Sequence, residues 1–135
     1  MDERFAGDRT ALCKLLAIIG LLGDDEWLHV HWRSGDVNNS FSSLLSIIFD
    51  DFHIKRWSDM ETGYLGTPPA LPRYLSAIAD LLDAFDERQR PCERRSDIEL
   101  LHFAGWEPIS EMAKKISAAV RSWRSKNCAY ESRSR

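Results

Sequence analysis

The sequence is short of nearly everything that marks a catalyst. It has no HExxH, no paired Cys-x-x-Cys, no GxGxxG and no Walker A loop, so zinc hydrolysis, metal knuckles and nucleotide binding lack their signatures. Cysteine is sparse and odd in number. Cys13, Cys92 and Cys128 are too widely spaced for a knuckle and offer no disulfide framework. They are expected as free thiols in a reducing compartment. Long apolar runs are missing as well. The longest, Leu15 to Leu22, falls far short of the roughly 20 residues that span a bilayer. Lys14 interrupts the apolar region and no small-residue cleavage site follows Gly23, which argues against a signal peptide. A cytoplasmic location is the expectation. The chain also lacks the large net charge and low apolar content of a disordered one: its net charge is −3 and 44% of its residues are apolar.

What is present is helical periodicity. A chain of 135 residues is large enough for one domain with its own core. Leu12, Leu15, Leu16, Ile19 and Leu22 lay one apolar stripe after Asp8, which is a good N-cap, and Gly20 and Gly23 mark its end. Phe41, Leu44, Leu45, Ile48, Phe49 and Phe52 repeat the pattern behind Asn39 or Ser40. A polar and aromatic loop, residues 53–67, closes at Pro68-Pro69 and is of a length that often carries function. A third helix starts near Pro69 to Pro72, with Leu71, Tyr74, Leu75, Ile78, Leu82 and Phe85 inward. A basic linker, Arg88 to Arg95, follows it. Ser96-Asp97-Ile98-Glu99 has the form of a capping box before a short helix that stops at Gly105. A fifth helix, from about Ser110 to Arg124, turns Ile109, Met112, Ala113, Ile116, Val120 and Trp123 inward. Between the first two helices, Leu28, Val30 and Trp32 alternate with His29 and His31, which is the period of a strand, and end at Gly35-Asp36. The expectation is a mainly α protein: a single irregular helical bundle of about five helices over residues 1–126, a short hairpin near residues 27–38, and a tail at 127–135.

The small net charge conceals polarity. Residues 1–87 carry 15 acids against 7 Lys or Arg, and residues 88–135 carry 6 against 11. Acids cluster at Asp24-Asp25-Glu26, at Asp50-Asp51 and along the third helix from Asp80 to Glu87. If these clusters share a face, they would steer a basic partner onto it. Five tryptophans are many for this length, and Trp is the side chain most enriched at interface hot spots.

Three sites for chemistry can be weighed. On a strand, His29 and His31 would point to one side and could share a metal with His53, His102 or Asp36, but no spacing demands a third ligand. No metal ligand and no cofactor is assigned. Cys92, among arginines, could be a reactive thiol, but it has no histidine near it in sequence; no catalytic residue is assigned either. Asp97 to Trp123, with Lys114, Lys115, Arg121 and Arg124, has the outline of a DNA-reading helix-turn-helix. The turn, containing Trp106 and Pro108, is long for that motif, and the chain as a whole is acidic, so a nucleic-acid-binding regulator is the lesser alternative.

The leucine-rich second helix runs into Phe52-His53-Ile54-Lys55-Arg56-Trp57-Ser58-Asp59, and Trp123 lies in the last helix. This order resembles small bacterial immunity proteins of contact-dependent growth inhibition and related polymorphic-toxin systems. One group of these has a leucine-rich helix, a segment of the type Phe-His-x-Asp-Trp-Asp, and a last helix containing tryptophan. The Phe-His pair is kept here, whereas Trp57 and Asp59 are displaced and the intervening acid is missing. The resemblance implies a small cytoplasmic protein that binds one cognate protein toxin and occludes its active site, which fits the absence of catalytic motifs; no cofactor and no membrane is expected. The residues expected to meet the partner, a toxin such as a nuclease, are Asp50, Asp51, His53, Trp57 and Asp59, followed by Asp80, Asp83 and Asp86.

Overall fold

A computed structural model describes residues 3–89 and 96–128, with side chains from Gly7 onward. Seven α-helices form it: α1 (Glu3–Leu22), α2 (Asp25–Arg33), α3 (Phe41–Ser46), α4 (Ile54–Ser58), α5 (Leu71–Gln89), α6 (Asp97–Leu100) and α7 (Trp106–Asn127). A 3-10 turn (Val37–Asn39) precedes α3, and a π turn (Ile47–Asp51) continues it. The architecture is the mainly α bundle that the periodicity predicts, with no strand among the described residues. No described helix is long and apolar enough to cross a membrane.

Helix α7 packs against both α1 and α5, and these three long helices make the frame. Leu12, Leu15, Leu16, Ile19 and Leu22 of α1 are buried against it, as are Leu75, Ile78 and Leu82 of α5 and Ile109, Ile116 and Val120 of α7. One apolar cluster joins residues from all seven helices. Its aromatic end gathers α2, α3, α5 and α7: the Trp106 ring lies 5.3 Å from Trp32 and 5.4 Å from Phe85, centre to centre. Tilted and edge-on contacts at such distances add to the burial of the rings.

The expected hairpin at residues 27–38 is absent, and helix α2 with the 3-10 turn takes its place. The Asp24 carboxylate accepts from the Trp27 N–H at 3.1 Å, and Asp25 and Glu26 in the first turn favour the positive end of the helix. Leu28 and Trp32, four apart, are buried together while Val30 is 61% exposed, so the alternation in sequence conceals a helical pair. The Trp32 indole N–H then donates to the Asn39 carbonyl at 2.8 Å and folds the following loop back.

Four smaller expectations also change. Helix α1 begins before Asp8, which is not its cap. The capping box at Ser96 is not made: the Ser96 side chain caps nothing, and the Asp97 carboxylate accepts instead from the Phe41 N–H at 3.1 Å, tying α6 to the first turn of α3. Helix α7 starts at Trp106, with Pro108 in its first turn, where a missing N–H is harmless. Tyr74 and Met112, expected inward, are only half-buried.

The cysteines differ most. Cys13, in the middle of α1, and Cys128, the C-cap of α7, are joined by a disulfide, with Cα atoms 5.8 Å apart. Their separation of 115 residues gave no local signal of pairing. On the chain-entropy account a link closing so long a loop stabilises the fold by about 5 kcal/mol. It also moves the expected start of the tail, since Asn127 is helical and Cys128 is anchored. Residues 129–135, most of the basic linker and Cys92 lie outside the described residues.

Candidate functional site

The most irregular backbone lies at residues 47–67. The π turn widens the end of α3, and the Phe52 N–H reaches the Ile47 carbonyl at 2.9 Å. His53 then takes a left-handed conformation (φ 51°), which reverses the chain into α4. After α4, Gly63 (φ 82°), Leu65 (φ 59°) and Gly66 (φ 78°) are all left-handed. His53 and Leu65 are the only non-glycine residues with positive φ among those described, and they bracket α4. Such residues persist where their surroundings over-determine them, and they cluster at functional sites.

Each frame helix supplies one of those surroundings. From α1, the Asp8 carboxylate accepts from the Tyr64 hydroxyl at 2.5 Å and lies 3.5 Å from the Arg56 guanidinium. From α5, Asp83 pairs with Lys55 at 3.0 Å. From α7, the Trp123 indole N–H donates to the Leu65 carbonyl at 2.9 Å. Asp8, Arg56, Trp57, Met60, Glu61 and Tyr64 line an open cleft of about 240 Å³. The Arg56 guanidinium sits 5.4 Å from the centre of the Trp57 ring, within range of a cation–π attraction.

The expected site residues divide within this geometry. Asp50, Asp51, His53 and Asp59 are exposed on the irregular segment, and Asp50 accepts from the Ser46 hydroxyl at 3.3 Å. Asp80 is exposed on α5. Asp83 is brought to α4 by Lys55, while Asp86 accepts from the Gln89 side chain further along α5. Trp57 does not belong with them: it is 3% exposed, part of the core, and touches the cleft only along its lining. Its burial follows from α4 pointing Ile54 and Trp57, three apart, at the frame. The surface is also less acidic than the sequence implied, since Lys55 and Arg56 offset Asp83 and Asp8. Asp51, Asp59, Glu61 and Asp80 make no ion pair among the described residues. The role of Asp8, Arg56 and Tyr64 was invisible in sequence, because Asp8 and Tyr64 are 56 residues apart.

The other candidate sites change as well. On helix α2, His29 and His31 project about 200° apart, not to one side. The His29 ring meets the Asp25 carbonyl at 2.7 Å, and His31 meets Asp36 at 3.1 Å. Among the described residues no three His, Cys, Asp or Glu side chains gather as a metal site. Asp36 is held below the ordinary carboxylate range by its hydrogen bonds, from the Asn39 amide first and His31 second. Helix α7, the expected reading helix, packs between α1 and α5, and its Lys114 reaches Asp25 at 3.5 Å.

Compared with known proteins, the chain matches no family model, no curated protein and no solved structure.

Proposed function

We propose that the protein acts by binding, as an inhibitor of the immunity type that occupies a cognate protein toxin, and that residues 47–67 with the neighbouring acids of α5 form the contact surface. One observation carries this reading: strained backbone at His53 and Leu65 is held by side chains from three helices, and the strained segment presents exposed acids beside an open cleft. Strain kept in place by that many anchors is the usual mark of a surface pre-organised for recognition. The uncompensated acids favour a basic partner, such as an enzyme whose own surface must attract phosphates.

A setting follows from the cysteines. Free thiols were expected alongside a cytoplasmic location, whereas a Cys13–Cys128 bond suits an oxidising compartment. The reading helix of the nucleic-acid alternative would have to leave its place between α1 and α5, or bind by its exposed face alone, so that reading is not preferred.

The test is the association rate with the partner that the native protein captures. Asp50→Lys with Asp51→Lys should slow association about tenfold or more at low salt, with the difference shrinking as salt rises. An unchanged rate at every salt concentration would reject this surface. Asp83 is a poorer probe, because reversing it also breaks its pair with Lys55.

A further inference from the structure

We propose that the Cys13–Cys128 disulfide sets the state of the strained loop at residues 63–66, so that the candidate site is organised when the bond is closed and released when a dithiol opens it. The inference rests on the reading of residues 47–67 as the contact surface, and it adds a regulator to that surface.

The loop is held from two sides. Leu65 offers its carbonyl to the Trp123 indole N–H at 2.9 Å, and its neighbour Tyr64 donates its hydroxyl to Asp8 at 2.5 Å. Trp123 lies in the last turns of α7, five residues before Cys128, and Asp8 lies on α1, five residues before Cys13. The disulfide therefore closes a ring of contacts: from α1 through the bond to α7, through Trp123 to Leu65, and through Tyr64 and Asp8 back to α1. Within that ring the end of α7 is fastened further, since the Asn127 side chain donates to the Trp123 carbonyl at 2.8 Å and the Cys128 N–H to the Arg124 carbonyl at 2.7 Å. A left-handed Leu65 relaxes when its neighbours stop over-determining it. Opening the bond frees the end of α7 to fray, as helix ends do, and takes the Trp123 anchor with it.

The chemistry is ordinary thiol exchange. One thiolate of the dithiol attacks one sulfur and expels the other cysteine as a thiolate, which takes up a proton. The second thiol then resolves the mixed disulfide, so that two electrons and two protons pass to Cys13 and Cys128 and the dithiol becomes a disulfide. Both cysteines are at most 3% exposed, so attack waits for the last turn of α7 to open.

Amide hydrogen exchange on the protein alone tests the proposal. Dithiol-reduced protein and the Cys128→Ala variant are each compared with the oxidised chain. The Gly66 and Thr67 amides, bonded to the Gly63 and Tyr64 carbonyls, should exchange about tenfold faster or more when the bond is absent, while amides in the middle of α5 keep their protection. Equal exchange in the loop would overturn the proposal. Loss of all helix on reduction would overturn it too, since the bond would then serve the whole fold. Thiol titration of the denatured oxidised protein should find one free thiol of the three cysteines; finding three would remove the premise. Because no partner is present, failure here is separable from failure of the Asp50 and Asp51 test.

Discussion

Helices α1, α5 and α7 bury continuous apolar stripes with regular backbone throughout, whereas residues 47–67 bury Ile48, Ile54 and Trp57 through a π turn, a five-residue helix and left-handed residues. The frame draws its stability from packing and from the Cys13–Cys128 bond that ties α1 to α7. The irregular segment contributes packing too, but it keeps its shape because Asp8, Asp83 and Trp123 reach it from the three frame helices. The difference teaches where to look for function in a chain without catalytic motifs: not where burial is deepest, but where unfavourable backbone is tied down.

The comparison can be broken at Trp57. If it is core, as its burial indicates, Trp57→Ala should cost about 3–5 kcal/mol in urea denaturation. A cost under about 1 kcal/mol, the scale of surface changes, would return it to the surface. Ile116→Ala, in the frame between α1 and α5, should cost about 2–5 kcal/mol while leaving the partner affinity of folded molecules unchanged. A drop in affinity there would show that frame and segment are not separable.

His53→Gly sharpens the contrast in the other direction. His53 is exposed and left-handed, so glycine removes strain without removing packing and should raise stability by about 0.5–1 kcal/mol in the same denaturation. A loss of stability would mean that the His53 side chain makes contacts that favour the turn. The smallest effect is expected at Asp36, outside both regions. Its carboxyl is held below the ordinary range, so the folded state prefers the charged form, and the stability this lends is present at neutral pH and lost as the pH falls through the lowered value. Melting temperatures of the native protein and Asp36→Asn should therefore differ at neutral pH and converge in acid. A gap that widened on acidification would reverse the sign of this assignment.

Much of the frame is legible in sequence because helical burial repeats every three to four residues, and the stripes Leu12 to Leu22 and Leu71 to Phe85 state it directly. Helix α2 is hidden in the sequence because Leu28 and Trp32, four apart, satisfy both periods while Val30 adds to the strand period alone, and only Asp24 and the acids after it favour the helix. The exposed acids Asp50, Asp51 and Asp59 were legible as surface. The burial of Trp57 was not, since it depends on the direction α4 takes after the left-handed His53. The ties that make the site, from Asp8 to Tyr64, from Trp123 to Leu65 and from Cys13 to Cys128, join residues that have no pattern in common. Geometry across long separations carries them, and local spacing does not record it.

The packing of α1 on α7 has a consequence for synthesis. The apolar stripe of α1, Leu12 to Leu22, has its principal helix partner in α7, Trp106 to Asn127, which is made after every other described helix. Until α7 emerges, α1 has no partner of that size and the nascent chain carries an uncovered leucine-rich face, which is the kind of surface chaperones hold. Completion of the frame is thus deferred until α7 has been made.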